Sequence, residues 1–478
     1  MTLKAPPSQD IVIMGASGDL SQRKLIPAVY NLAAVNLLPE KGNVVGFART
    51  DMGDDGFRDM ARRSIQEYSR TGFDETIWSG LVPRLRYVRN DDGYGPLKRD
   101  LKENERLVYM AVPPSALPDT IGGLRDAELV EGTRIVVEKP FGHDLASARE
   151  LNREIHKVFH ESQVFRIDHY LGKETVQNIL VFRFGNSAFE RIWNRDAVDH
   201  VQMTVAESIG VENRGSYFEE TGIVRDIVQN HVLQVLSLLT MEPPSNMAPE
   251  SIRDEKIKVL RSMQPLNPAR TVRGQYSAGT VGDESVPGYR QEKGVAVGSM
   301  VETFFAADME IDSWRWAGVP FYVRTGKRLP LRATEIVVQF RAPPLCFFEG
   351  TDVKHLPSDH LVIRIQPDEG IRFAFLAKQP GPEVNVQPVS MEFDYSSSFM
   401  TSPPEAYERL LHDAMLGDHT LFMREDAAER AWVIVEPALN NPTPTCMYAA
   451  GTWGPREADQ LIAPRTWHLN QAGLHRAS

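Results

Sequence analysis

Residues 166–174 read Arg166-Ile167-Asp168-His169-Tyr170-Leu171-Gly172-Lys173-Glu174. The apolar residues just before and within this stretch predict the end of a buried strand, and Gly172 predicts a turn ahead of an amphipathic run. If a helix already begins near Tyr170, then His169 and Lys173 lie about one helical turn apart and can face the same ligand. The stretch therefore predicts a corner between strand and helix that is rich in polar chemistry.

The side chains at this corner suit an anionic ligand. An imidazole, a phenol and an ammonium group can all donate hydrogen bonds to phosphate oxygens, which makes His169, Tyr170 and Lys173 a candidate phosphate site. The alternative is a solvated charge network, because charged residues also gather at strand ends for solubility. Spacing alone does not separate these two interpretations.

Composition places the chain among ordinary globular proteins. Its 478 residues exceed what one core usually organises, so we expect two domains. The net charge of -11 argues against non-specific nucleic-acid binding and requires a local basic cluster to attract an anionic substrate. Cys346 and Cys446 cannot form a disulfide framework or a four-ligand zinc site, which fits a reducing cytoplasm. We expect no signal peptide and no membrane segment, because no apolar run approaches the necessary length.

A glycine turn follows the first predicted strand, residues 11–14, and helical spacing resumes from Lys24 to Ala34. Free backbone amides at such a helix N-terminus are suited to phosphate. The Gly-x-x-Gly spacing departs from the dinucleotide fingerprint Gly-x-Gly-x-x-Gly, so a purely structural turn is the alternative. The turn contributes five candidate cofactor-binding residues: Gly15, Ser17, Gly18, Asp19 and Leu20.

The next predicted strand, residues 43–48, ends at Arg49. NAD-binding folds usually place an acidic residue there to accept hydrogen bonds from the ribose hydroxyls. A cation at this position favours a 2′-phosphate, so Arg49 predicts NADP as the cofactor.

Three further strand-like runs alternate with helical stretches, at 85–88, 106–112 and 133–137. This alternation predicts a Rossmann-like, doubly wound parallel sheet, in which ligands bind beyond the carboxyl ends of the strands. Lys139 lies at that edge and could contact both cofactor and substrate, although a salt bridge with Glu138 is the alternative. The strand ends add four cofactor candidates: Asp91, Asp92, Pro113 and Lys139.

Beyond Glu174 the pattern changes to long alternating strands, at 200–207, 336–340 and 360–365. They predict a larger second domain with a mainly antiparallel sheet backed by helices. We place the cofactor domain at 8–168 and a substrate-binding and oligomerisation domain at 169–478. A sheet of this kind can also supply a dimer interface.

A helix predicted from Gly222 to Leu236 carries His231 on its apolar face. A buried histidine is more often structural than catalytic. Paired with a carboxylate such as Asp168, however, a desolvated imidazole could accept a proton and be stabilised once charged. Asp226 is five residues earlier, so on an α-helix it points away from His231 and could line a pocket from another side.

The loop after residue 324 is basic, with Lys327 and Arg332, and a solvated turn is its alternative interpretation. We find no spacing typical of metal ligands, no Gly-x-Ser-x-Gly elbow and no Walker loop. We therefore expect no metal site.

Five segments resemble the glucose-6-phosphate dehydrogenase family, in the same order along the chain: residues 15–20, 138–142, 166–174, 229–231 and 326–327. The resemblance implies NADP-dependent oxidation of D-glucose 6-phosphate at C1 to 6-phospho-D-glucono-1,5-lactone, the first step of the oxidative pentose phosphate pathway. It implies His231 as general base and Asp168 as its orienting partner. The residues implied for substrate binding are Lys139, His169, Tyr170, Lys173, Glu207, Asp226, Lys327 and Arg332.

The resemblance also implies a homodimer or homotetramer. Gln22 departs from the family pattern by removing one cation from the glycine turn, and residues 291–301 differ as well. Two alternatives stay open at this point. One is another aldose or sugar-phosphate dehydrogenase with a Glu-Lys-Pro motif, and the other is a non-catalytic NADP sensor.

Overall fold

The structure is a computed structural model that describes residues 4–345, 358–399 and 404–468. Contacts divide the chain into two compact units. The first comprises Met1–Glu174, Pro244–Glu255 and Pro403–Glu429, and the second comprises Thr175–Pro243, Lys256–Ser402 and Arg430–Ser478. The predicted division at residue 168 assigns all of the later chain to one domain, whereas the contacts place two later segments with the first unit.

The first unit is built on a parallel sheet, as predicted. Its strand order is β17-β6-β5-β4-β1-β2-β3, and β1 to β6 are mutually parallel. These strands are β1 (Asp10–Met14), β2 (Val44–Ala48), β3 (Leu85–Arg89), β4 (Arg106–Met110), β5 (Thr133–Val137) and β6 (Val164–Ile167). Every residue of β1, β2 and β4 is buried, which is the pattern of a sheet covered on both faces.

The antiparallel edge strand of this sheet was not predicted. It is β17 (Phe422–Met423), which pairs with β6 through Ile167 and Arg166. The helices of the first 160 residues are Ser21–Leu25, Ile26–Ala34, Gly53–Tyr68, Glu75–Leu81, Tyr94–Asp100, Leu117–Asp126 and Leu145–His156. Short helical turns lie at Val82–Arg84, Asn90–Asp92, Pro114–Ala116 and Glu161–Gln163.

The second unit contains a mainly antiparallel sheet, which confirms the predicted fold class. Its order among the described residues is β16-β15-β14-β13-β7-β12-β11-β8-β18, and only the pairs β7/β12 and β8/β18 are parallel there. The strands are β7 (Val198–Ala206), β8 (Thr271–Ser277), β11 (Phe304–Met309), β12 (Phe321–Gly326), β13 (Ala333–Phe340), β14 (His360–Gln366), β15 (Gly370–Lys378), β16 (Val386–Asp394) and β18 (Thr445–Ala449). A separate hairpin joins β9 (Gly279–Val281) and β10 (Glu284–Val286).

The remaining helices include one irregular region of functional interest. They are Glu174–Phe184, Ser187–Arg191, Gly215–Ile223, Val224–Val232, Leu233–Thr240, Pro249–Ser262, Tyr395–Phe399, Ala406–Leu416, Glu425–Asn440 and Glu457–Ile462, with short turns at Glu212–Arg214, Pro268–Arg270 and Tyr289–Gln291. The segment Val224–Val232 winds as a π-helix and contacts β12. Residues 224–232 therefore do not follow the α-helical spacing that we expected of them.

Within the described ranges, no helix combines the length and the apolar character needed to cross a bilayer. Cys446 is a half-buried free thiol, and Cys346 lies outside the described residues.

Candidate active site

The glycine turn lies where β1 gives way to a helix, at the carboxyl edge of the parallel sheet. Gly15 has φ of +77°, and a Cβ atom there would lie 2.2 Å from the carbonyl oxygen of Ala111. Only glycine fits such an approach. Gly18 N–H donates to the Gly15 carbonyl at 2.9 Å, and the adjoining helix begins at Ser21 rather than at Lys24. The turn is a tight backbone cradle at a helix N-terminus, which is the geometry that suits phosphate.

Gln22 braces this turn, because its side-chain amide donates to the Ser17 carbonyl at 2.8 Å. Asp19 is exposed and forms an ion pair with Arg23 at 2.7 Å, while Leu20 is half-buried. The departure from the family pattern at Gln22 thus removes a charge but keeps a hydrogen-bond donor beside the turn.

Arg49 is exposed at the end of β2. The next residue connects this strand end to the glycine turn, since the Thr50 hydroxyl donates to Ser17 Oγ at 2.9 Å. The two places that the sequence assigned to a phosphorylated cofactor are therefore adjacent in the first unit.

The other strand-end candidates for cofactor binding are Asp91, Asp92 and Pro113. Asp91 is exposed and forms an ion pair with Arg89 at 2.7 Å. Asp92 ends the turn Asn90–Asp92, and its side chain lies outside the described set. Pro113 precedes the short helix at residue 114 and accepts the Ala116 N–H at 2.9 Å through its carbonyl oxygen.

Lys139 is half-buried just beyond β5, next to Glu138. The Tyr109 hydroxyl donates to Glu138 Oε1 at 2.5 Å, and the Tyr407 hydroxyl donates to the same carboxyl group. Burial raises the pKa of Glu138 above its usual value, against the opposing effects of the two phenols and the Lys139 charge. Glu138 thus forms a hydrogen-bond network with two tyrosines directly before Lys139 in the chain.

The corner at 168–173 follows β6. Asp168 is 1% exposed, and its Oδ1 accepts the Tyr170 N–H at 2.9 Å, which fixes the turn. Lys173 Nζ lies 4.9 Å from the centroid of the buried Tyr170 ring, a cation–π arrangement. The helix begins only at Glu174, so the proposed start near Tyr170 is wrong. These side chains therefore lie on a non-helical turn that precedes the helix.

Sequence reasoning missed Tyr407, which lies in the helix Ala406–Leu416. Its ring stacks on His169, with centroids 6.4 Å apart and planes 8° apart. Burial, followed by the Glu138 charge, raises the pKa of Tyr407 above the ordinary phenol value. Nothing in the local spacing signals this role, because Tyr407 reaches the corner from more than 200 positions along the chain.

In the second unit, His231 is fully buried near the end of the π-helix, and Asp226 is half-buried earlier in it. In π winding the hydrogen bonds span five residues, so residues five apart are closer together around the axis than in an α-helix. The expectation that Asp226 points away from His231 rested on α-helical geometry, which this segment does not follow. The winding therefore reduces the angle around the axis between Asp226 and His231.

Glu207 and Lys327 meet in the second unit. They follow the carboxyl ends of the parallel neighbours β7 and β12, where Ala206 pairs with Gly326. Lys327 Nζ lies 2.6 Å from Glu207 Oε2, and Lys327 is 7% exposed. The pair joins a buried cation to a half-buried carboxylate in one preorganised group, unlike the solvated turn considered as an alternative.

Arg332, in contrast, is exposed. It donates to the side-chain oxygen of Gln366 at 3.3 Å. Its place beside β13 leaves the guanidinium accessible to an anion.

Three residues of the first unit could hold a metal ion by distance, although the sequence showed no such cluster. Ligand atoms of His156, Glu161 and Glu425 lie within 4.8 Å of one another. Arg166 and Arg253 already pair with Glu161 at 2.8 and 3.3 Å. Two guanidinium groups repel a further cation, so the cluster is better described as an ion-pair network.

Models of the glucose-6-phosphate dehydrogenase NAD binding domain and C-terminal domain match residues 12–178 and 180–468. The chain belongs to the glucose-6-phosphate dehydrogenase family. The family's two domain models together span almost all of the chain, which agrees with the order of the five segments recognised in the sequence.

Individual relatives match along nearly their whole length. Glucose-6-phosphate 1-dehydrogenase of Aggregatibacter actinomycetemcomitans is 46% identical, covering 96% of each chain. Glucose-6-phosphate 1-dehydrogenase 2 of Mycobacterium tuberculosis strain H37Rv is 45% identical, covering 95% of this chain and 92% of the relative. A solved structure of glucose-6-phosphate dehydrogenase in complex with its substrate glucose-6-phosphate superposes with a TM-score of 0.90 at 36% identity, covering 98% of this chain and all of the other.

Proposed function

We propose that the protein oxidises D-glucose 6-phosphate at C1 with NADP and forms 6-phospho-D-glucono-1,5-lactone, the first step of the oxidative pentose phosphate pathway. The observation that carries this proposal is the match of both family domains, at residues 12–178 and 180–468. It agrees with the polar groups that each unit presents at its strand ends.

His231 is proposed as the general base that takes the proton from the C1 hydroxyl. Its complete burial desolvates the imidazole, so a carboxylate partner has a strong effect on its protonation. Asp168, equally buried, is proposed as that partner, holding one tautomer and stabilising the charged ring. Positioned proton transfer of this kind contributes about 10²- to 10⁴-fold to rate.

His169, Tyr170 and Lys173 are proposed to bind the substrate phosphate, with Arg332 contributing an exposed cation. Within the first unit, stacking on Tyr407 and the cation–π contact hold the first three in place. Glu207, Asp226, Lys327 and Lys139 are proposed to hold the sugar. Paired donors and acceptors of this kind suit hydroxyl groups, which both donate and accept hydrogen bonds.

The first unit fits NADP. The cradle at Gly15 admits no Cβ atom. Ser17 and Gly18 follow the end of β1, and the exposed Arg49 follows the end of β2. When bound, NADP supplies the acceptor for the hydride that leaves C1. Arg49 is proposed to contact its 2′-phosphate, with Asp19, Leu20, Asp91, Asp92, Pro113 and Lys139 proposed as further cofactor contacts.

Initial rates of cofactor reduction test the function. Glucose 6-phosphate is compared with free glucose, and NADP with NAD, under the same conditions. We expect strong preference for both phosphorylated compounds. Equal rates with free glucose would favour another aldose dehydrogenase, and tight NADP binding without turnover of any sugar phosphate would favour the sensor.

Arg49→Asp tests the cofactor assignment. A charged hydrogen bond contributes about 1.5–3 kcal/mol, so its loss and reversal should lower the NADP to NAD ratio of kcat/KM at least about tenfold. Arg62→Asp, which changes a partly exposed arginine paired with Glu75 at 2.8 Å and outside the proposed cofactor site, is the matched control. An unchanged ratio in Arg49→Asp would show that the 2′-phosphate binds elsewhere.

A homodimer or homotetramer and a cytoplasmic location are also proposed. The edge strand β16 exposes Val389 and Met391, at 40% and 58%, which would favour burial against a second copy. Light scattering that detects monomer alone would contradict the oligomer.

A further inference from the structure

The helix that carries Asp226 and His231 begins at a sharp break in the backbone. Gly222 has φ of 63° and ψ of 171°, a conformation open essentially to glycine alone. The amides that follow have no partner within the new helix, as is general for a helix start. Ile223 N–H donates to the carbonyl oxygen of Glu302 at 3.1 Å, and Val224 N–H donates to Glu302 Oε1 at 3.4 Å. Glu302 therefore caps this helix with both its backbone and its side chain.

Glu302 is itself held in place. Its side chain is 5% exposed, and its second carboxylate oxygen, Oε2, lies 2.7 Å from the guanidinium of Arg273. Arg273 also donates to the carbonyl oxygens of Met300 and Thr443, at 3.0 and 3.1 Å. One carboxylate oxygen thus faces Arg273 and the other faces the helix, so the carboxylate cannot rotate without losing a charged hydrogen bond.

Gly222 and Glu302 form one close contact. A Cβ atom on Gly222 would lie 2.5 Å from Glu302 Oε1. A cavity of about 260 Å³ opens beside Gly222, Arg273 and Glu302. Water entering this cavity can hydrate the helix amides if the Glu302 carboxylate is removed, so a truncated variant is expected to fold.

We propose that Glu302, oriented by Arg273, is a positioning residue for the reaction. It fixes the start of the helix Val224–Val232. It thereby fixes the positions of Asp226 and His231 along and around the helix axis. In α winding, residues five apart are separated by about 140° around the helix, whereas the wider π turn brings them closer together around the axis. Without its anchor the segment can relax toward α winding, which would turn His231 relative to Asp226. This role rests on the proposed function.

The test compares Glu302→Ala with Glu302→Gln in the full-length protein. Glutamine keeps an acceptor for Val224, whereas alanine does not. We expect Glu302→Ala to lower kcat about 10- to 100-fold, as misplacement of a catalytic group by about 1 Å does, and to shift the pH profile of kcat. KM for NADP should change less than about twofold. Glu302→Gln keeps the acceptor for Val224 but loses the ion pair with Arg273, so its kcat should lie between those of the parent and of Glu302→Ala.

Asp199→Ala is the matched control. Asp199 pairs with Arg465 at 2.8 Å in the same unit, near the start of β7 and so at the end opposite to Glu207. This variant should lower Tm and leave kcat unchanged. A Glu302→Ala protein with lowered Tm and parental kcat and pH profile would overturn the positioning role.

If Glu302→Ala does not fold, Arg273→Met carries the test, because it leaves Glu302 present but no longer oriented. We expect kcat to fall about tenfold, and parental kcat would overturn the proposal. Different results would refute the proposed function and the proposed role of Glu302. A parent protein that does not oxidise glucose 6-phosphate refutes the function, whereas an active parent with insensitive variants refutes only the role of Glu302.

Discussion

Arg49 and Gly18 face solvent at the ends of parallel strands in the first unit, whereas in the second unit His231 is fully buried and Lys327 is 7% exposed. The glycine turn depends on backbone shape, since it positions amides that need no particular side chain, and the Arg49 side chain lies at an exposed strand end. The second set depends on buried charge and on an irregular helix. Buried ionisable groups lose much more when a partner is removed than exposed ones do. Substitutions of His231 and Lys327 should therefore cost more than substitutions of Arg49 and Gly18.

The largest effect is expected for His231→Asn. It removes the proposed base, so kcat with glucose 6-phosphate and NADP should fall about 10²- to 10⁴-fold in steady-state assays. His200→Asn is the matched control, because His200 is also buried in the second unit but is bonded to Asp199 at the far end of β7. Near-normal turnover of His231→Asn would exclude it as the base.

Lys327→Met should cost both stability and activity. It leaves the Glu207 carboxylate without its cation, and breaking a buried pair costs about 3–5 kcal/mol. Because Glu207 is 28% exposed, we expect the lower end, about 3 kcal/mol, from urea unfolding at pH 7. KM for glucose 6-phosphate should also rise.

The comparison for this variant is Lys98→Met in the first unit, which breaks the exposed pair with Glu128. Because both partners are exposed to solvent, its cost in unfolding free energy should be clearly smaller than that of Lys327→Met. Equal losses in the two variants would remove the contrast between the units.

Gly15→Ala probes the backbone cradle of the first unit. The added Cβ would meet the Ala111 carbonyl oxygen at 2.2 Å with φ of +77°, so we expect a loss of about 1–3 kcal/mol and weaker NADP binding. Gly18→Ala places its Cβ 3.1 Å from the Gly15 carbonyl oxygen and should change both less. Fluorescence titration with NADPH and thermal unfolding measure the two effects. A smaller effect at Gly15 than at Gly18 would contradict the cradle.

The smallest effect is expected from the half-exposed pair of Asp199 with Arg465. Its hydrogen bond with Arg465 lowers the pKa of Asp199 to about 2. The folded value is depressed, so the stabilisation is present above the unfolded value near 4 and is lost as pH falls toward 2. After solvent screening we expect about 1 kcal/mol.

Urea unfolding of the parent and of Asp199→Asn between pH 5 and pH 2 measures this contribution. The difference in unfolding free energy between them should shrink as pH falls. A constant difference would show that Asp199 contributes through packing and not through charge.

Much of the first unit was predictable. Strands β1 to β5 lie within two residues of their predicted ends, because apolar runs bounded by turn residues are local signals. The candidates at the strand edge followed from this order. The edge strand β17 could not be found in this way, since two residues carry no periodicity.

In the second unit, the winding of the helix that carries His231 was not predicted. Residues 224–232 have an apolar pattern that fits an α-helix, and only the packed structure shows their π winding, which reduces the angle between Asp226 and His231 around the axis. The cap by Glu302 joins residues 78 positions apart in the chain. No local pattern encodes such a pairing.

The sequence by itself determined the fold class, the family and most candidate residues, because periodicity, turn chemistry and long exact segments are local properties of the chain. Tertiary structure decided how Lys327 meets Glu207, how Tyr407 stacks on His169 and how the His231 helix is wound. These features depend on burial and on contacts between distant residues, whose energies exist only once the chain has packed.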